Sequence, residues 1–102
     1  METTHNRFKK ILRKYKISYK EITENESVII GIENKENFSI DCLFNKDGTL
    51  KEIVKNKWVH EKASTIDFIG IKNNNYELRF FNEKDLLGQL NLNLKTKEVE
   101  FA

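Results

Sequence analysis

Apolar residues recur at two different spacings along this chain, and the switch between them organises it. Phe8, Ile11, Leu12 and Tyr15 fall at i, i+3, i+4 and i+7, a single apolar stripe that predicts a helix over residues 4–16. Thr3 or Thr4 can cap its start, and the lysines near its end suit the helix dipole. From Val28 onward the period is two. Phe38, Ile40, Cys42 and Phe44 alternate with Ser39, Asp41 and Leu43; Leu90, Leu92 and Leu94 alternate with Gln89, Asn91 and Asn93; Val99 and Phe101 alternate with Glu98 and Glu100.

Between these regimes the sequence leaves two readings open. Ser18-Tyr19-Lys20-Glu21 has the S-x-x-E spacing of a capping box and can open a short second helix; the same residues, Ser18 to Thr23, also read as a strand. Glu24 to Ser27 is a polar turn under either reading.

Two hairpins can be placed by register. Asn45-Lys46-Asp47-Gly48 reads as a type I turn with a left-handed Gly, and a three-residue loop there pairs Phe44 with Leu50 and Ile40 with Val54. A two-residue turn at Lys95-Thr96 pairs Leu92 with Val99 and Leu90 with Phe101, so two independent alternations agree, although Lys-Thr is a poor type I′ turn. A loose repeat relates Ile30-Gly31-Ile32-Glu33-Asn34 to Ile69-Gly70-Ile71-Lys72-Asn73, suggesting two similar three-strand units over 28–58 and 65–101; chance similarity in a biased composition is the alternative. The expected fold class is α+β: an N-terminal amphipathic helix packed on an antiparallel β-meander of about six strands. With 102 residues this is one domain, with a basic helical segment over 1–24 and a sheet over 28–101.

Composition changes the picture in three ways. Charged residues make up 33% and apolar residues 38%, so the core is thin and leans on seven Phe, three Tyr and one Trp. The net charge of +2 conceals an asymmetry: residues 1–20 carry seven basic side chains against Glu2 alone, a net +6, and the rest of the chain is −4. Proline is absent and Asn, Lys and Ile abound, which points to an AT-rich coding source such as a low-GC bacterium or one of its mobile elements.

The single cysteine, Cys42, allows no intrachain disulfide, and no secretory leader or membrane-length apolar run is visible; a cytoplasmic protein without a membrane is expected. His5 and His60 sit on separate elements without Cys or carboxylates at ligand spacing, and read as exposed polar residues. Cys42 falls on the inward phase of a strand and reads as core filler. No phosphate-binding glycine loop is present. No catalytic residue, metal or cofactor is expected.

Three binding candidates remain. Arg7, Lys10, Arg13 and Lys14 line the outer faces of the helix, where they can meet phosphates or stay solvated. Lys55, Lys57 and Trp58 place the only Trp among basic residues, which suits base stacking, a protein anchor, or a Trp that closes one end of the core. The neutral strip Gln89, Asn91, Asn93 leaves homodimerisation through a sheet edge open. The chain is similar, in size and composition alone, to phage-encoded inhibitors of bacterial defence such as anti-CRISPR proteins. The expectation is a non-enzymatic interaction protein that occludes a protein or nucleoprotein partner. The alternatives are direct nucleic-acid binding through the helix and, behind it, a small ribonuclease or toxin using His60.

Overall fold

The computed structural model describes residues 2–33 and 38–102. Helix α1 spans Thr4–Lys14 and is followed by nine strands: β1 (Lys20–Glu24), β2 (Ser27–Glu33), β3 (Ser39–Phe44), β4 (Leu50–Lys55), β5 (Val59–Lys62), β6 (Thr65–Lys72), β7 (Asn75–Asn82), β8 (Asp85–Asn93) and β9 (Val99–Phe101). The α+β class and the meander hold. Among the described residues the strands number nine and form two sheets, β1-β2-β3-β4-β5 and β6-β7-β8-β9, with every neighbouring pair antiparallel. The chain changes sheets at two consecutive residues: the Ala63 amide donates to the Lys51 carbonyl of the first sheet, and the Ser64 amide to the Phe81 carbonyl of the second.

α1 begins where the Thr3 hydroxyl accepts the Asn6 amide at 3.1 Å. It ends at Lys14 because Lys16 turns left-handed (φ 57°): its amide then bonds Arg13 O and the Ile17 amide bonds Leu12 O at 2.9 Å, the paired closure of a Schellman motif. Ile17 drops into the core beyond it. The chain therefore leaves the helix already committed to an extended path, and residues 20–24 are a strand, which settles the two readings of that segment.

The helix straddles the seam between the sheets. Phe8, fully buried, has its ring centroid 6.0 Å from Phe44 of β3 and 6.5 Å from Phe80 of β7. On one flank of the stripe Arg7 lies over Phe68 and Tyr15 against Tyr76, both in the second sheet. On the other flank His5 stacks on Phe44 and Lys9 reaches Glu21, both in the first. One core joins all three layers, including Phe8, Leu12, Ile30, Ile53, Leu78 and Leu92. Gly48 fixes the approach of the helix: it takes φ +90°, its carbonyl accepts the His5 amide at 3.0 Å, and a Cβ there would come within 2.4 Å of the Thr3 Cβ.

Register confirms some expectations and corrects others. Leu92 pairs with Val99 and Leu90 with Phe101 as anticipated. The connecting loop runs over residues 94–97, not a two-residue turn; the Asn93 side chain accepts the Lys95 and Thr96 amides and Lys97 takes φ 65°, which removes the difficulty of a Lys-Thr turn. Phe44 pairs with Leu50 as expected, but a bulge between Leu43 and Phe44 inserts Lys51, so Ile40 meets Lys55 instead of Val54. The extra residue switches the parity of β4: Ile53 enters the core, and Val54 moves to the outer face opposite Asp41. The internal repeat does not survive. Ile30 and Ile32 are buried, Ile69 and Ile71 are exposed, and Gly70 sits in a bulge; Asn34 lies outside the described residues. The units hold five and four strands.

Candidate functional site

The seven nominated residues separate into two places, with no hydrogen bond, ion pair or ring contact joining them among the described residues. On α1, Arg7, Lys10, Arg13 and Lys14 are all exposed. Three of them rest on aromatic groups and, among the described residues, on no carboxylate. The Arg7 guanidinium lies 4.4 Å from the Phe68 ring centroid, Arg13 Nε donates to the Tyr19 hydroxyl at 2.9 Å, and Lys14 Nζ stands 5.5 Å over Tyr15. Their charge is held in place without being neutralised by any described residue. Lys10 differs, pairing with Glu2 at 2.6 Å.

Around Trp58 the pattern is reversed. Lys55 pairs with Glu61 at 2.6 Å, and Lys57 with Glu33 at 3.6 Å. The bulge that turns Lys55 inward also lays its amine 5.6 Å from the Phe101 ring centroid, where it bridges the two sheets. Among these paired charges, Trp58 is 84% exposed and the following Val59 is 49% exposed. It does not close the core. The cause is local: Asn56 and Lys57 both adopt positive φ (50° and 66°), Trp58 completes a three-residue loop between β4 and β5, and its amide is tied back to the Lys55 carbonyl at 3.1 Å. The ring is thus set on a fixed loop and projects from it.

A third cluster was not visible in the sequence, because strand pairing assembles it. His60 Nδ1 lies 2.6 Å from Glu52 Oε1 on the adjacent strand, and Lys51 and Lys62 line the same shallow groove. The bulge at Lys51 and the pairing of Glu52 with Lys62 create this neighbourhood. A fourth feature lies on the outer face of the first sheet. The Asp41 carboxylate presses onto Gly31, where an added Cβ would come within 2.6 Å of Oδ1. No hydrogen bond holds it among the described residues, and burial pushes its pKa up, opposed by Lys57 and aided by Glu33.

His5 is not the exposed residue expected. Its ring stacks 5.1 Å from Phe44, its Nε2 is buried without a partner among the described residues, and burial first, then Lys9, lowers its pKa against the pull of Glu21. Cys42 is fully buried, and burial raises its thiol pKa far above the ordinary range, so it fills the core. Among the described residues no cluster of three His, Cys, Asp or Glu side chains is placed to hold a metal ion, and no helix is long and apolar enough to cross a membrane. The strip Gln89, Asn91, Asn93 belongs to an interior strand: β8 pairs with β7 and β9, and Arg79 Nε donates to Gln89 Oε1 across the sheet at 2.8 Å. Strand addition at that strip is therefore blocked. No family model, curated protein or solved structure matches this chain.

Proposed function

We propose that this chain is a small non-enzymatic interaction protein that covers a surface of a protein or nucleoprotein partner, with Trp58 as the anchor. The observation that carries this reading is the 84% exposure of Trp58 on a constrained loop. A Trp left in water forgoes the burial that large aromatics ordinarily gain on folding, and Trp is among the residues that dominate binding energy at protein interfaces. The neighbouring lysines are already paired to Glu61 and Glu33, so the loop tip is an apolar ring inside a nearly neutral rim. That composition suits a protein surface better than a polyphosphate. An inhibitor encoded by a phage or mobile element, acting in the cytoplasm, is the setting this reading fits.

The test is parallel capture from lysate of the source cell, with nuclease present, using the native chain and Trp58→Ala. A protein retained by the native chain and lost with Trp58→Ala supports the reading; equal retention by both removes Trp58 as the anchor.

Direct nucleic-acid binding is the second reading, favoured by the unneutralised charge of Arg7, Arg13 and Lys14. It predicts affinity for RNA or DNA that falls steeply with salt and is lost in Arg13→Glu/Lys14→Glu. The ribonuclease reading has less support. In the groove His60 and Glu52 contact each other directly, and an acid and a base that act on opposite sides of a phosphate need room for it between them.

A further inference from the structure

Four strands form the edges of the two sheets, and they are not equivalent. β5 has four residues, β9 has three, and β6 is interrupted by the bulge between Phe68 and Gly70. Such shortness and bulging are ordinary protections of an edge. β1 has neither. Its five residues pair with β2 in unbroken register, and every one of them is exposed.

The direction of its free backbone groups follows from the turn beside it. Asn25 and Glu26 both adopt positive φ (46° and 65°), a two-residue turn that makes Glu24 and Ser27 the closing hydrogen-bonded pair. Glu24, Ile22 and Lys20 therefore direct their N–H and C=O groups to β2, and Glu21 and Thr23 direct theirs to the open edge. The side chains of Lys20, Ile22 and Glu24 share the outer face of the sheet, where Ile22, 53% exposed, continues a cross-strand row through Ile29 and Leu43.

We propose that β1 is a homodimer interface, in which β1 of a second copy of this chain pairs with it antiparallel about a two-fold axis at Ile22. In this register Glu21 lies opposite Thr23 of the partner, and both belong to the open set, so each pair exchanges two backbone hydrogen bonds. Ile22 meets its own mate at the close, non-hydrogen-bonded position. Lys20 stands opposite the partner's Glu24 and Glu24 opposite the partner's Lys20, two opposite-charge pairs. The apolar row then runs unbroken from Leu43 through Ile29 and Ile22 into the second copy. Neighbouring registers are poorer: a shift of two residues sets Glu21 against Glu21 in one direction and Ile22 against Glu24 in the other, and a shift of one residue opposes the wrong backbone groups. The result is one continuous ten-stranded sheet. Because β1 and β5 are opposite edges, the two Trp58 loops stand at its far ends, both open.

Sedimentation equilibrium of the full chain tests this, over about 5 to 500 µM, the range suited to an interface this small. Native protein should pass from monomer to dimer. Lys20→Glu and Glu24→Lys should each weaken the dimer about tenfold or more, since each variant sets like charges opposite each other twice. An equimolar mixture of the two should dimerise again, because both charge pairs are then restored between unlike chains. As an independent readout, Ile22→Cys should form an intermolecular disulfide under mild oxidation; Cys42, fully buried, leaves the new thiol as the accessible one. Native protein that stays monomeric across the range overturns the proposal. So does a dimer indifferent to both charge reversals, a mixture that fails to regain it, or Ile22→Cys that does not cross-link.

Discussion

The carboxylate of Asp41 lies so close over Gly31 on the neighbouring strand that no side chain can replace the glycine hydrogen without moving it. The two residues face each other in register, and the contact partly desolvates a charged group that nothing among the described residues hydrogen-bonds. Because burial raises the folded pKa above the ordinary 3.8, the native state holds a proton at pH values where the unfolded chain has released it. The ionised form therefore costs stability from there up to neutral pH. Asp41→Asn is expected to melt at higher temperature than the native chain at neutral pH, with the gain disappearing below the ordinary carboxylate pKa. A lower melting temperature at neutral pH would show that the charge serves the fold.

His5 carries the opposite dependence. Its folded pKa is lowered from 6.5, so the unfolded chain binds the proton more readily and the fold weakens as pH falls through that value. His5→Gln should flatten the decline in denaturant midpoint between about pH 7.5 and 5.5. An unchanged decline would assign it to other groups.

Phe8 is the contact shared by helix and both sheets, so its truncation is felt in three places. Phe8→Ala should cost about 3–5 kcal/mol, a large part of the roughly 5–15 kcal/mol that holds a domain of this size. Urea unfolding followed by circular dichroism measures it; a loss below about 1 kcal/mol would mean that the seam can close without this ring.

At the start of the helix, Thr3 and Gly48 act as one joint. Thr3→Ala removes the cap on Asn6 and should cost about 1 kcal/mol. Gly48→Ala should cost more, since a left-handed backbone and a 2.4 Å approach to Thr3 both oppose the added methyl. Thermal melts of the two variants should keep that order.

Trp58→Ala should leave stability within about 0.5 kcal/mol of the native chain, because the ring is in water and its loop is held by backbone. A substantially larger loss would give Trp58 a structural role and undercut its assignment as an anchor.

Local chemistry alone determined a good part of this molecule. The helix was legible in the spacing of Phe8, Leu12 and Tyr15, the C-terminal register in two agreeing alternations, and the inward position of Cys42 in the parity of its strand, because each depends on neighbours a few residues away. The strand count was not legible. The hairpins at Asn25-Glu26, Asn56-Lys57 and Asn73-Asn74 turn through left-handed residues, all without the glycine that ordinarily marks such turns, and asparagine is too common here to stand out. Only the tertiary structure decided the rest. Bulges at Lys51 and beside Gly70 flip strand parity, and an inserted residue leaves no mark in a pattern of period two until its partner strand is known. The same holds for the candidate sites. The sequence showed which side chains were charged or aromatic. Which lysines found a carboxylate, which rested on a ring, and whether the Trp was inside or out depended on residues brought together across strands, and pairing between distant segments sets those contacts.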